Sequence, residues 1–377
     1  MLRYSKLLFF TSLLILVFTM ACSDSTSSGN DDPNGEEALL ATFKTDEGTG
    51  VVKVMSRNIY IGTDVDVVLQ AETPEQVPLL VKSAFDLLNA TDFPTRADAL
   101  AEEIGKTLPH LIGLQEVTTF YLQSPGDLAG GGQVPATEEY LNLLDELMDA
   151  LTARGLHYNM VKKVENANIE LPMLTGIVDG IPTFDDVRIV DHDVILARSD
   201  VITSNPKAVS FQVFLTDTST GIELPRSFVY CNAKVGDVEI VFSNTHLEAF
   251  DIEAIRAAQA TELMATFANE TLPVVMVGDF NTAAPSNTTY QMVLSGGYTD
   301  AWVNNTLDYN TLGYTWGHDA DLKNTTINFE RRIDFVFVKA STEPAYGESF
   351  VIGDEGRDIR NGLWPSDHGG VLTKLTF

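Results

Sequence analysis

Two cysteines in 377 residues give no basis for a disulfide framework. Cys231 lies in an apolar, strand-like stretch, Ser227–Val235, and reads as a core residue. Positive charge is also scarce. Lys and Arg number 24 against 53 Asp and Glu, for a formal net charge of −29. A protein that grips nucleic acid normally shows a basic face, because phosphate neutralisation supplies most non-specific affinity. The only local basic clusters are Lys162–Lys163 and Arg331–Arg332. Tight polyanion binding is therefore disfavoured, although a bound divalent cation would change the local field. No internal repeat, heptad pattern or second linker follows Val51, which points to one large domain. Gly130-Gly131-Gly132 lacks the strand–loop–helix context and the Lys of a phosphate cradle, so it reads as a plain loop.

The N-terminus stands apart. Arg3 and Lys6 precede an apolar run, Leu7–Met20, that is too short for a comfortable membrane span. The run ends in Phe18-Thr19-Met20-Ala21-Cys22. A small residue before Cys after such a run looks like a bacterial lipoprotein signal. On that reading residues 1–21 are the signal peptide and Cys22 carries lipid. The expected location is then the cell envelope, lipid-anchored, with Ser23 favouring the outer membrane or cell surface. Residues 22–50 are rich in Ser, Asp, Gly, Asn and Glu and are expected to form a flexible tether. Residues 51–377 form the folded domain.

Within that domain the chemistry sits at strand ends. Leu272–Asn281 (LPVVMVGDFN) is an apolar run that breaks into Gly278-Asp279-Phe280-Asn281. Such a run reads as a central strand, and open α/β sheets place ligands at the carboxyl ends of their strands. Other segments repeat the design: Val51–Asn58, Leu111–Val117 with Gln115 and Glu116, and Val238–His246 with Asn244 and Thr245. Arg331–Val338 opens a strand at Asp334, and Trp364–His368 places Asp367 and His368 before the last strand, Gly370–Phe377. Helical spacing marks Pro74–Asn89, Thr95–Thr107, Thr137–Arg154 and Asp251–Phe267, the last with Asp251 as cap candidate. His157–Val164, Val194–Arg198 and Ala208–Leu215 read as strands. Tyr60–Arg96, Ser124–Ala136 and Asn166–Asp191 read as loops around a site mouth.

The ordered set N, QE, TH, GDFN, RRID and SDH resembles the endonuclease/exonuclease/phosphatase superfamily, over about Val51 to Phe377. The resemblance implies an α/β fold, a four-layer sandwich of two central β-sheets flanked by helices. It also implies a divalent-metal-dependent phosphoesterase using Mg²⁺ or Mn²⁺, with Ca²⁺ also suited to hard oxygen ligands. Glu116 would be the chief metal ligand, with Asn58 and Asp367 in support. Family members often carry Asp two residues after this Asn, where this chain has Tyr60.

Asp279 would position or deprotonate the attacking water, and Asn281 would hydrogen-bond the phosphate. His246 and His368 would contact phosphoryl oxygens, with Asp334 orienting His368. Arg198 matches a family strand where Arg is common, Arg256 reads as a helix ion pair, and Arg332 could approach phosphate. His157, His192 and His318 read as surface or loop residues, and His110 as structural. The expected partners are a phosphoester substrate, with a small molecule or phospholipid headgroup favoured over nucleic acid, and a membrane through the lipid. A monomer is expected. Two alternatives remain open on these residues, an extracellular nuclease and a non-catalytic surface binding protein on the same fold.

Overall fold

The computed structural model describes residues 33–216, 222–249, 252–305 and 312–377. Cys22, the signal segment and the cap candidate Asp251 lie outside the described residues. The strands are β1 (Val51–Asn58), β2 (Leu111–Gln115), β3 (Thr119–Gln123), β4 (Glu138–Asn142), β5 (Tyr158–Val178), β6 (Ile181–Arg198), β7 (Ile202–Ser210), β8 (Leu215–Thr216), β9 (Glu223–Leu224), β10 (Ser227–Val235), β11 (Val238–His246), β12 (Val274–Asp279), β13 (Thr299–Asp300), β14 (Asp334–Lys339), β15 (Ala345–Ile352) and β16 (Gly370–Thr376). The helices are α1 (Pro33–Thr45), α2 (Asp66–Leu69), α3 (Val77–Ala90), α4 (Phe93–Thr107), α5 (Leu143–Ala153), α6 (Glu253–Thr266) and α7 (Thr288–Ser295). Among the described residues no helix is long and apolar enough to cross a membrane.

One sheet runs β15-β16-β1-β2-β6-β3-β4, with β5 paired to β6; the other runs β13-β14-β12-β11-β10-β7. Side-chain alternation explains the layering. In β12, Val275 and Val277 face the other sheet, whereas Val274 and Met276 face the helices. In β1, Val52 and Val54 face the second sheet and Met55 faces the helices. The resulting architecture is the expected four-layer sandwich of two sheets between helices. Gly113 lets the sheets approach closely: a Cβ there would lie 2.4 Å from Val277 Cγ2 and 2.6 Å from Asn244 Oδ1. Cys231 is fully buried between the sheets.

Four expectations need correction. The tether does not reach residue 50. Residues 33–45 are helical, and Phe43, 1% exposed, packs edge-on to Phe350 at 5.5 Å. Two buried side chains, Leu40 and Phe43, suffice to dock that helix on the core. Asn166–Asp191 is not a loop but the middle of a long β5–β6 hairpin. Its alternating polar residues are the solvent side of a two-faced antiparallel pair. The helix expected from Thr137 starts only at Leu143, because β4 pairs with β3 and Asn142 caps the helix by accepting from Leu144 N and Asp145 N. Within Tyr60–Arg96 the helix expected over Pro74–Asn89 forms as α3, but α2 adds a helical turn at Asp66–Leu69 where only loop was expected.

Candidate active site

Register assembles the site. His246 pairs with Asp279 across β11–β12, and Asp279 pairs with Asp334 across β12–β14. Directly opposed residues share a face. That face is the inter-sheet one, because Asp279 continues the stripe of Val275 and Val277, and Asp334 begins the stripe of Val336 and Val338. In the other sheet Asn58 pairs with Gln115, on the same stripe as Val52 and Val54. The site is thus the place where the apolar seam between the sheets turns polar. Gly278, with φ +152°, sits so close to Thr245 that a Cβ would lie 2.1 Å from its carbonyl oxygen. Glu116 and Asn281 leave their strands with φ 59° and 48°, a left-handed turn uncommon for non-glycine residues.

Asn58 bridges the two sheets. Its Nδ2 donates to Glu116 Oε1 at 2.9 Å and to Asp279 Oδ2 at 3.2 Å, while its Oδ1 accepts from Tyr60 N at 2.9 Å. Glu116 Oε2 accepts from Ile61 N at 2.8 Å. Gln115 Nε2 donates to Asn244 Oδ1 at 2.6 Å, a second inter-sheet tie. Asp334 Oδ2 lies 2.9 Å from His368 Nδ1, and His368 Nε2 lies 3.7 Å from Asp279 Oδ2. Asp334 Oδ1 is buried without a partner. Asn281 Nδ2 donates to Leu247 O at 3.0 Å and lies 3.1 Å from His246 Nε2.

The electrostatics are those of crowded carboxylates. Burial, then the charge of Asp334, pushes Asp279 up to about 7. Burial, then Asp367, raises Glu116, and burial raises Asp367. Burial opposes the charge on His368, yet Asp334, Asp367 and Asp279 outweigh it and lift the imidazole to about 10. His246 goes the other way. Burial, then Arg226 and His368, drive it well below the usual range, so it is neutral. Arg226 Nη1 donates to His246 Nδ1 at 3.0 Å, which leaves the proton on Nε2. An imidazolium at His246 is therefore disfavoured.

Glu116, Asp279, Asp367, His246, His368 and Asn281 all line one cavity of about 610 Å³. Among the described residues, neither Glu116 nor Asp367 is paired with a Lys or Arg. Such a donor set of buried carboxylate oxygens suits a hard divalent metal. Asp279, Asp334 and His368 also offer ligand atoms within 4.8 Å of one another. Asp334 already holds His368 Nδ1 at 2.9 Å, and Asp279 Oδ2 lies 3.7 Å from the other ring nitrogen. Asn58, expected among the metal ligands, spends its amide on holding Glu116 and Asp279.

The other expected residues are held by structural partners, although Arg256 and His318 also line the cavity. Arg198 pairs with Glu47 and Asp200, beyond the opposite end of its strand. Arg332 is buried on Asp300 at 2.6 Å. Arg256 donates to Glu253 and to the carbonyls of Glu248 and Ala249. His110 is buried and its Nδ1 accepts from Lys53 N at 2.9 Å. His192 and His318 are buried rather than superficial; His318 stacks on Trp364 at 4.2 Å.

Sequence reasoning missed four supports. Arg226, in Leu224-Pro225-Arg226, had no motif to mark it. Arg57 donates to the His368 carbonyl and to both oxygens of Glu103, at 3.0 Å each. Its signal was present: Lys53 and Arg57 lie on one face of an otherwise apolar strand. Arg96 ties Ile59 O, Tyr60 O, Thr91 O and Pro365 O together, joining the segment after β1 to the Asp367–His368 loop. Ser366 Oγ donates to Asn58 O at 2.8 Å and accepts from His368 N at 3.1 Å.

Comparison with known proteins fits this geometry. No protein of curated function matches the sequence significantly. Several solved structures share the fold. One is an endonuclease/exonuclease/phosphatase family protein from Bacteroides thetaiotaomicron, 19% identical, covering 87% of this chain and 98% of that one at a TM-score of 0.52. Another, from Leptotrichia buccalis and of the same family, is 17% identical, covering 86% and 100% at 0.53. A mannosyl-6-phosphatase from Bacteroides thetaiotaomicron is 18% identical, covering 86% and 100% at 0.51. The family model for the Endonuclease/Exonuclease/phosphatase family matches residues 83–368, from α3 to His368 itself, and the chain belongs to that family.

Proposed function

We propose that the protein is a divalent-metal-dependent phosphoesterase that hydrolyses phosphodiesters. The observation that carries this reading is the convergence of Glu116, Asp279 and Asp367 with His246 and His368 in one cavity, with Asp334 holding His368. Glu116 and Asp367 would hold the metal, Mg²⁺ or Mn²⁺, oriented by Asn58. A divalent ion there would neutralise developing charge on the phosphoryl group. Asp279, pushed up to about 7, is suited to accept a proton from the attacking water. The His368 imidazolium, held by Asp334, would donate to a phosphoryl oxygen or to the departing alkoxide. Neutral His246, fixed by Arg226, would donate through Nε2, and Asn281 would steady the phosphate.

The acidic surface favours a small phosphoester or a phospholipid headgroup over nucleic acid. Lipid attachment at Cys22 would keep the enzyme on the bacterial envelope. Its support is the Arg3–Cys22 pattern alone.

The test is hydrolysis of bis-p-nitrophenyl phosphate, a sugar phosphate monoester and plasmid DNA across Mg²⁺, Mn²⁺ and Ca²⁺. Activity should vanish with EDTA and return with metal. Cation at about 100-fold above its dissociation constant should stabilise the fold by about 2.7 kcal/mol. Glu116→Gln should shrink that thermal shift along with activity. Activity that survives EDTA would overturn the metal assignment, and inertness on the whole panel would favour a binding protein.

A further inference from the structure

The carboxylate and histidine cluster occupies only one end of the cavity. The other end is apolar, and the registers show how it is built. Ile189 of β6 pairs with Phe120 of β3 and Ile169 of β5. Two residues along, Val187 pairs with Leu122 and Leu171. These are two cross-strand rows on one sheet face. On β6 that face continues as Val187, Ile189, Asp191, so it passes from apolar to polar toward the catalytic end. Four residues of strand separate Val187 from Asp191, roughly 13 Å.

Helices α2 and α3 roof this face. Val68, Val81 and Phe85 line the cavity from above, and Leu171, Val187 and Ile189 line it from below. Phe85, Val68, Leu171 and Ile189 are only partly buried, so apolar walls stand open to the cavity. Apolar surface kept in contact with water is unfavourable, and a lined chamber of this kind marks a ligand site. The same cavity is lined by Glu116, Asp279 and His368, so an occupant joined to the phosphate would fill both ends.

We infer that this chamber receives an aliphatic chain carried by the alcohol of the phosphoester. This rests on the phosphoesterase reading and names its substrate class: a phosphodiester of a long-chain or lipid alcohol. In the reaction water oxygen bonds to phosphorus, the ester P–O bond breaks, and the departing oxygen takes up a proton. The products are a phosphate monoester that keeps the chain and the alcohol or phenol of the other ester bond. The chain itself does not react. It adds binding energy equally to ground and transition states, so it should act on KM more than on kcat.

The test uses alkyl p-nitrophenyl phosphodiesters with methyl, butyl and octyl groups, kept monomeric. KM should fall at least about tenfold from methyl to octyl, since each buried methylene is worth up to roughly fourfold. Ala84→Phe, which fills the chamber from α3, should flatten that slope. Ile189→Thr, which is smaller and puts a hydroxyl on the chamber floor, should flatten it too if the first variant folds poorly. The slope is a ratio and is indifferent to the folded fraction. Calorimetric binding of alkyl phosphonates of the same lengths needs no turnover. Hydrolysis with a flat KM across the series would overturn the chamber and leave the phosphoesterase reading standing. No hydrolysis, with phosphonate binding that strengthens with length, would overturn the phosphoesterase reading and leave the chamber. A slope untouched in both variants would place the chain elsewhere and sink the assignment.

Discussion

The two ends of the cavity are built by different rules. At the polar end almost every side chain is fixed by a named partner: Asn58 on Glu116 and Asp279, Asp334 on His368, Arg226 on His246. At the apolar end nothing directional holds the walls, and Val68, Phe85, Leu171 and Ile189 are positioned by packing and strand register alone. Chemistry tolerates little displacement, since a misplaced catalytic group loses orders of magnitude in rate. Chain recognition tolerates more, because apolar contact is non-directional. The contrast predicts steep, non-additive effects at one end and shallow, graded effects at the other.

The steepest should come from Asp334 and His368. Asp334→Asn keeps the shape and removes the orienting charge. His368→Ala removes the donor. Each should lower kcat by about 10²–10⁴, and the double variant should cost little more than the worse single, because the two act as a unit. Fully additive losses in steady-state kinetics would show independent roles and erase the contrast.

Next comes the buried Arg57–Glu103 pair, which grips the His368 carbonyl from behind. Arg57→Met leaves a buried carboxyl without its partner and should cost about 3–5 kcal/mol in urea unfolding. Adding Glu103→Leu should restore much of that stability, because an apolar pair can replace a buried ion pair. Turnover should stay low in the double variant, since the His368 carbonyl still lacks its donor. Recovery of stability and kcat together would make Arg57 a packing residue only.

The same contrast explains what could be read in the sequence. Asn58, Glu116, His246, Asp279, Asp334 and His368 announce themselves because a polar residue at the end of an apolar run breaks a strong pattern. The sandwich class came with the family resemblance that these residues carry, and the strand order came only from the pairings. The long β5–β6 hairpin stayed hidden, because its interrupted alternation, with register shifts near Glu165 and Leu174, blurs the period of two. The apolar chamber was invisible for a different reason: Val, Ile, Leu and Phe in strands and helices are ordinary core residues until the structure shows them facing a void. Arg226 and Arg96 owe their places to tertiary geometry that no local pattern encodes. Helix α1 was missed because its docking depends on Leu40 and Phe43 alone, in a segment otherwise rich in Ser, Asp, Gly, Asn and Glu.

At the apolar end, Met173 supports the chamber without lining it; it is 4% exposed and packs with Val81 and Val187. Met173→Ala should cost about 2 kcal/mol or somewhat more, the low part of the range for buried methionine. Chemical denaturation measures this directly. A loss above about 5 kcal/mol would show that the wing is as tightly specified as the seam.

The smallest expected effect lies far from both ends, where Glu47 meets Lys53 and Arg198. Partial burial opposes the carboxylate charge, but hydrogen bonds from Arg198 and Lys53 outweigh it and bring Glu47 down to about 2. A carboxylate whose folded pKa lies below its unfolded value near 4.5 stabilises the fold at neutral pH. That contribution is complete above the unfolded value and is lost as pH falls from about 4.5 toward 2. Glu47 is 47% exposed, so solvent screens the pair and the effect of Glu47→Gln at pH 7 should stay below about 1 kcal/mol. The variant should lose less stability than the parent on acidification through that window, because it has no charge there to lose. Equal acid sensitivity in both would show that the pair, although well formed, adds nothing to folding. Activity should not follow either curve, since Glu47 meets Lys53, His110 and Arg198 at the ends of β1 and β6 away from Asn58 and Asp191.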